Sequence, residues 1–417
     1  MTATDGTPGG PHRTALSRCI GVEPAKFAAA YWGRGPLLSR AGERAGPAGF
    51  ADLLSLEAVD ELLSRRGLRT PFLRVAKQGE VLPAGRYTGS GGAGAEVGDQ
   101  VIDDKIMQLY ADGATLVLQG LHRIWPPLID FTRRLGDELR QPLQVNAYLT
   151  PAGNKGFATH YDTHDVFVLQ VDGTKRWRIH APVLPDPLER HAWGERAEAI
   201  GATAEGPAAL DVVLGPGDVL YLPRGWLHSA EAQGERSLHL TVGIRALTRY
   251  AIVEELLALA ADDARLRATL PLGLDVADAE AIEPELTETV EALRDWLLTA
   301  EPAAVAERLR ARSWPSARPA PLSPVAQLDF IERLTPQSRI AVRDGLRWQL
   351  VEDGPEHAVL RLVGRTLRFP AYCAPAVRTA LGGGVLRVGD LPLDDDADRL
   401  VLARRLLREA LVVPVTG

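Results

Sequence analysis

Cysteine is nearly absent from these 417 residues: Cys19 and Cys373 are the only two, they lie far apart, and neither belongs to a CxxC pair. That excludes a disulfide framework and a cysteine-based zinc site, and it fits a reducing compartment. Long apolar runs are missing as well. The first twenty residues, MTATDGTPGGPHRTALSRCI, hold no stretch suited to a signal-peptide core, and no later segment approaches the roughly 20 apolar residues of a membrane span. A cytoplasmic location without a membrane partner is therefore expected. Charge of one sign is lacking too. The 47 basic residues stand against 54 acidic ones, a net −7 spread along the chain, so no direct nucleic-acid binding is expected. No repeat of fixed period is present. What remains is an ordinary globular composition, 46% hydrophobic and 24% charged, in a chain long enough for one large domain and one or two smaller ones.

Residues 1–14 are polar and rich in Gly and Pro, and read as a disordered tail. From Pro24 to Arg74 the pattern leans helical, and Gly79 to Gly98 reads as a glycine-rich loop. Between Gln144 and Ile244, short runs with period-two alternation are separated by turn signals at Asp172-Gly173, Gly215-Pro216-Gly217-Asp218 and Pro223-Arg224-Gly225. Many short strands at this spacing point to an antiparallel barrel or jelly roll. Beyond Ala246, TRYAIVEELLALAADDARLRATL and ELTETVEALRDWLLTAEPAAVAERLRAR carry apolar residues at helical spacing. The proline-rich SARPAPLSP marks a boundary. After it, WQLVEDGPEHAVLRLVGRTLRFP reads as two or three strands, and AYCAPAVRTALGG and ADRLVLARRLLREALVV as helices, a mix found in winged helices. From Pro336 onward twelve Arg face ten acidic residues, so charge argues for scaffolding rather than DNA binding. The expected domains are 15–247, a catalytic barrel; 248–320, a helical region that forms a homodimer; and 321–417, a winged-helix-like unit.

The chemistry concentrates in NAYLTPAGNKGFATHYDTHDVFVLQVDGTKRWRIHAP, residues 146–182. On a strand, residues two apart share a face, so His160 and Asp162 are expected to reach one metal ion from a single strand end. An imidazole and a carboxylate are two of the three ligands of the facial triad of non-haem iron(II) oxygenases. The third candidate is His228 in GPGDVLYLPRGWLHSAEA, delivered to the start of another strand by two turns. With the turn at Asp172-Gly173, Lys175, Trp177 and Ile179 share the inward face and Arg176, Arg178 and His180 the other. A lysine inside a barrel carries a large desolvation cost unless an anion meets it or its tip snorkels to the rim; a dicarboxylate cosubstrate supplies such an anion, and an internal acid is the other source. Asn146 and Tyr148 share a strand face and are candidates for cosubstrate or substrate contact. Ser237, His239 and Thr241 alternate with Leu238, Leu240 and Val242, and the pattern leaves open which set faces inward. His239 reads as a structural histidine rather than a fourth ligand. Asp165, just past His164, reads as a turn stabiliser.

HYDTHDVFVLQVDGTKRW and GPGDVLYLPRGWLHSAE, with YWGRGPLL as the helix leading into the barrel and SLHLTVGIRA as its last strand, resemble the JmjC and cupin family of ribosomal oxygenases. These enzymes hydroxylate histidine or arginine side chains of ribosomal proteins. The resemblance spans nearly the whole chain. It implies an α+β architecture: a double-stranded β-helix (cupin/JmjC jelly roll), then a helical dimerisation region and a C-terminal winged helix. It makes His160, Asp162 and His228 the Fe(II) ligands and Lys175 the residue for the distal carboxylate of 2-oxoglutarate, with Asn146 and Tyr148 near cosubstrate and substrate. Dioxygen and a protein or peptide substrate are the implied partners. Histidine-hydroxylating members tend to carry a serine where this chain has Gly243, and Gly243-Ile244-Arg245-Ala246 looks more like the bacterial arginine-hydroxylating branch. Other readings are a hydroxylase of a small natural-product precursor peptide, a cupin isomerase or dioxygenase that uses no 2-oxoglutarate, and a non-catalytic binding or sensor module.

Overall fold

The computed structural model describes residues 14–415 apart from 45, 95, 155–157 and 315–317; the expected tail thus lies, but for Thr14, outside the described residues. The chain divides into two compact units, the first ending at Ala246 and the second beginning at Leu247. Among the described residues no helix is long and apolar enough to cross a membrane.

In the first unit α1 (Pro24–Ala30), β1 (Leu37–Ser39) and α2 (Leu56–Arg65) precede β2 (Leu73–Lys77), β3 (Glu80–Val81), β4 (Thr88–Gly89) and β5 (Gln100–Val101). Next come α3 (Asp103–Ala111), β6 (Thr115–Leu118), α4 (Leu121–Ile124), α5 (Pro126–Leu139), β7 (Leu143–Thr150), β8 (Asp165–Asp172) and β9 (Lys175–His180). The unit ends with α6 (Ala197–Ala204), β10 (Leu210–Leu214), β11 (Val219–Leu222), β12 (Leu227–Ala232) and β13 (Ser237–Ile244). Two expectations change here. YWGRGPLL is not a helix: it is the turn after α1 running into β1, which pairs with β11, and Gly33 donates its N–H to the Tyr221 hydroxyl at 2.9 Å. The glycine-rich 79–98 segment is not all loop, since β3 extends the sheet beside β2 and β4 pairs with β5.

An eight-stranded antiparallel sheet, ordered β1-β11-β8-β13-β7-β6-β2-β3, faces a three-stranded sheet ordered β10-β9-β12. Strand parity assigns each face. Val145, Ala147, Leu149, Phe167, Leu169, Leu238, Leu240 and Val242 pack outward with residues of the helical layer in the main core. Helix α5 belongs to that layer: Pro126 opens it at a position where no N–H is needed, and Leu128, Phe131 and Leu135, at spacings of three and four, are buried. The opposite residues look into the space between the sheets, where Val166, Val168, Leu220 and Leu222 meet Trp177 and Ile179. The outward set of β13 is therefore the apolar one, and Ser237, His239, Thr241 and Gly243 point inward.

The turn between β8 and β9 needs a glycine. Gly173 has φ +62°, and a Cβ there would lie 1.9 Å from the Arg236 carbonyl oxygen.

In the second unit α7 (Arg249–Ala260), α8 (Ala279–Leu297) and α9 (Pro302–Ser313) are followed by α10 (Pro324–Glu332), β14 (Arg339–Val342), β15 (Trp348–Asp353), β16 (His357–Leu362) and β17 (Arg365–Pro370). Helix α11 (Ala374–Leu381), β18 (Val385–Arg387), α12 (Asp396–Arg408) and β19 (Val412–Pro414) complete it. The helix expected over 248–270 stops at Ala260. Just beyond, Asp263 accepts from the Arg265 N–H at 2.8 Å, a local bond that competes with helix continuation. Strands β15, β16 and β17 form one antiparallel sheet, as the sequence suggested, whereas Val412–Pro414 leaves the expected last helix to pair with β14.

Candidate metal centre

His160 and Asp162 do not sit on a strand end, as their spacing suggested; they occupy the irregular segment before β8. Main-chain bonds hold that segment against the start of β12. The N–H of His160 donates to the His228 carbonyl at 3.2 Å, that of His228 to the His160 carbonyl at 2.8 Å, and that of Gly225 to the Asp162 carbonyl at 3.0 Å. Asp165 acts as the expected stabiliser. It is buried and accepts from the Tyr221 hydroxyl at 2.9 Å and the Arg224 N–H at 3.0 Å, tying the Pro223–Gly225 turn to the motif. Gly225 is needed in that turn: its φ is +87°, and a Cβ would lie 2.7 Å from the Leu184 carbonyl.

The outcome is convergence. His160, Asp162 and His228 each present a ligand atom within 4.8 Å of the others, with His228 Nε2 3.7 Å from Asp162 Oδ2. Each imidazole is oriented through Nδ1, His160 to the Ala158 carbonyl at 2.7 Å and His228 to the Trp226 carbonyl at 3.1 Å, which leaves Nε2 for a metal. Burial and the neighbouring His160 push His228 down to about 4, so it is a neutral ligand at pH 7. Burial alone would raise Asp162, but the imidazoles of His228, His164 and His160 hold its carboxyl below the usual value. Two imidazoles and a carboxylate fit a ferrous ion.

The inward face below this group is ordered by register. Across the large sheet one row runs Arg74, Val117, Tyr148, His239, Gln170, and the next places Thr150 opposite Ser237. Lys175, 2% exposed, donates to Thr150 Oγ1 at 3.1 Å, and among the described residues no carboxylate pairs with it. Burial pulls its ammonium down to about 7. Trp177 spans the middle, with its ring 5.5 Å from His239 and 6.1 Å from His228. This end of the inward face, its floor, thus offers one cation and one hydroxyl for an anion, a fit for the distal carboxylate of 2-oxoglutarate.

Tyr148 faces inward as expected, stacked on His239 at 4.9 Å and hydrogen-bonded by Asn146 and Arg74; burial pushes its phenol up to about 12. Asn146 shares that face, and its Oδ1 accepts from the Gly120 N–H at 3.1 Å. His239 lies outside the metal-ligand group and is held neutral, its pKa lowered well below the usual value by burial and by Lys175. Sequence reasoning missed Thr150, Gln144 and Arg74. The first two share the parity of Asn146 and Tyr148, a signal open to reading; Arg74 came from a distant strand. It also missed Trp193, 6.1 Å from His160 on the segment after β9.

A family model described as the JmjC domain matches residues 128–252, which contain all three candidate ligands and Lys175. The chain is 42% identical over 147 residues to the bifunctional lysine-specific demethylase and histidyl-hydroxylase NO66 of Drosophila persimilis, covering 33% of this chain and 20% of that protein. It is 30% identical over 286 residues to ribosomal oxygenase 1 of Gallus gallus, covering 64% and 44%. The chain therefore spans less than half the length of these curated relatives. Among solved structures, Escherichia coli ycfD aligns over 94% of this chain and 98% of its own, with a TM-score of 0.53 and 17% identity. A structure of that protein in complex with cobalt and 2-oxoglutarate aligns with a TM-score of 0.50 at 17% identity, over 95% of this chain and 99% of its own. The likeness shows that the chain shares the fold of that protein.

Proposed function

We propose that the protein is an Fe(II)- and 2-oxoglutarate-dependent oxygenase that hydroxylates an arginine or histidine side chain of a protein, a ribosomal protein first of all. The carrying observation is Lys175: a buried ammonium with no carboxylate partner among the described residues, on the same interior face as Trp177 and on the strand next to His228. A lone buried cation is costly and is retained where a ligand supplies the opposite charge. The relatives named for oxygenase and hydroxylase activity support the same reading.

In this reading His160, Asp162 and His228 hold the metal, which supplies the coupling of 2-oxoglutarate decarboxylation by dioxygen to oxygen insertion into a C–H bond. The chain's own groups do the rest. Lys175 Nζ and Thr150 Oγ1 bind the distal carboxylate. Trp177 and Ile179 keep water from the space between floor and metal. Asn146 and Tyr148 line the side nearest cosubstrate and substrate. Incubation with Fe(II), 2-oxoglutarate and ribosomal proteins should yield succinate and a protein heavier by one oxygen. No succinate with any protein supplied, together with undiminished 2-oxoglutarate binding in Lys175→Ala, would sink the proposal.

For the second unit the reading is a dimerisation region over 248–320 and a winged-helix-like scaffold over 321–417. Exposed Tyr250, Val253, Leu257, Leu286 and Val290 on α7 and α8 support a two-fold contact. Sedimentation as a monomer at micromolar concentration would rule it out.

A further inference from the structure

Strand register divides the inward face into levels, and one level has no assigned role. Lys175 and Thr150 form the floor, and Tyr148 and His239 pair one level up. Asn146 pairs with Thr241 above them, and Gln144 with Gly243 at the opposite end from the lysine. From Thr150 to Gln144 is six residues, about 20 Å along an extended strand, so Gln144 lies well beyond the reach of a five-carbon diacid anchored at the floor. In the oxygenase reading above, that end of the face is the substrate side.

Three residues meet there. The Gln144 amide nitrogen is 3.3 Å from His164 Nε2. A Cβ on Gly243 would lie 3.0 Å from Gln144 Cγ, 3.1 Å from its amide nitrogen and 3.3 Å from His164 Cε1. Glycine at 243 is what lets Gln144 and His164 pack together. The contact also defines what the pair has left to offer. If the amide donates to His164 Nε2, the Gln144 carbonyl is left to accept and a second N–H to donate; if His164 donates to the amide oxygen, the NH2 and one oxygen lone pair are left. Either way Gln144 presents a donor and an acceptor and no charge.

We propose that Gln144 is the specificity-determining residue of this site, with His164 as its positioning residue, and that it selects an uncharged planar side chain bearing both a donor and an acceptor, imidazole or carboxamide, over a guanidinium. This rests on the oxygenase reading above.

The test uses the full chain loaded with Mn(II) and 2-oxoglutarate, protein in excess of metal, and three probes: acetyl-Gly-His-Gly-amide, acetyl-Gly-Asn-Gly-amide and acetyl-Gly-Arg-Gly-amide. Paramagnetic broadening of the probe β-protons reports approach to the metal. In the wild type the imidazole and carboxamide probes should be preferred about fivefold, the worth of one hydrogen bond. Gln144→Ala should erase that ratio, His164→Ala should reduce it, and the isosteric Gln144→Glu should turn it toward the guanidinium probe. A purely structural role would alter all three probes alike. Equal broadening of the three probes by the wild type, or an intact ratio in Gln144→Ala, overturns the inference. The thermal shift on adding 2-oxoglutarate, read on the same samples, separates the two readings: its absence in the wild type overturns the oxygenase reading, and this inference with it.

Discussion

Replacing Lys175 by methionine should make the ligand-free protein more stable while removing its response to 2-oxoglutarate. Burial lowers this ammonium from an ordinary 10.5 to about 7. Each pH unit in that interval is worth roughly 1.4 kcal/mol, so keeping the lysine protonated costs the fold on the order of 5 kcal/mol below pH 7. The sign follows from proton counting. Between pH 7 and 10.5 the unfolded chain binds the proton and the folded one does not, so stability rises with pH across that window and the cost is gone above it. Methionine has a similar length and no charge. It forfeits the bond to Thr150 Oγ1, worth about 1 kcal/mol, although Thr150 keeps the Thr115 hydroxyl at 3.3 Å. The net expectation at pH 6.5 is a gain of about 3–4 kcal/mol that fades as pH approaches 10.5. Urea unfolding of both proteins at pH 6.5 and 9.5, with and without Mn(II) plus 2-oxoglutarate, measures it. A variant less stable than the wild type at pH 6.5, or one still stabilised by 2-oxoglutarate to the same degree, would refute the assignment of an uncompensated charge at the floor.

Three further outcomes are expected. Binding of 2-oxoglutarate to the metal-loaded protein should take up a proton above pH 7, because the anion restores the Lys175 ammonium; affinity should weaken as pH rises from 7 to 9, and titration calorimetry in buffers of different ionisation enthalpy checks it. Asp165→Ala removes the buried acceptor of the Tyr221 hydroxyl and the Arg224 N–H, so a loss of about 2–3 kcal/mol in stability and weaker Mn(II) binding should appear together; an unchanged metal affinity would mean that the Pro223–Gly225 turn does not set His228. Gly173→Val combines a φ of +62° with a Cβ 1.9 Å from the Arg236 carbonyl, and should cost several kcal/mol, on the order of 3 or more, in thermal unfolding.

Much of the centre was legible before any fold was known, for reasons specific to each residue. Lys175 could be assigned inward because the Asp172-Gly173 turn sets the parity of β9, and Trp177 and Ile179 confirm that parity by packing with Val166 and Leu220. His160 and Asp162 do converge with His228, though not by the strand geometry that their spacing suggested. Their shared orientation comes from main-chain bonds to His228 and Gly225 rather than from a strand of their own, and such long-range bonds leave no mark in local spacing. The inward face of β13 was unreadable because both of its faces are buried, so alternation alone could not say which side meets helices.

Residue types and turns alone determined the composition of the centre: two imidazoles, a carboxylate and a lysine, on segments whose strands follow from period-two alternation and glycine turns. Only the folded chain decided which groups share a level. The row joining Arg74 to Tyr148 and His239, the seat of Lys175 on Thr150, and the contact of Gln144 with His164 over Gly243 each depend on register between strands distant in sequence. Register is set by the sum of many packing contacts, and a slip of one residue would turn every one of these side chains to the opposite face.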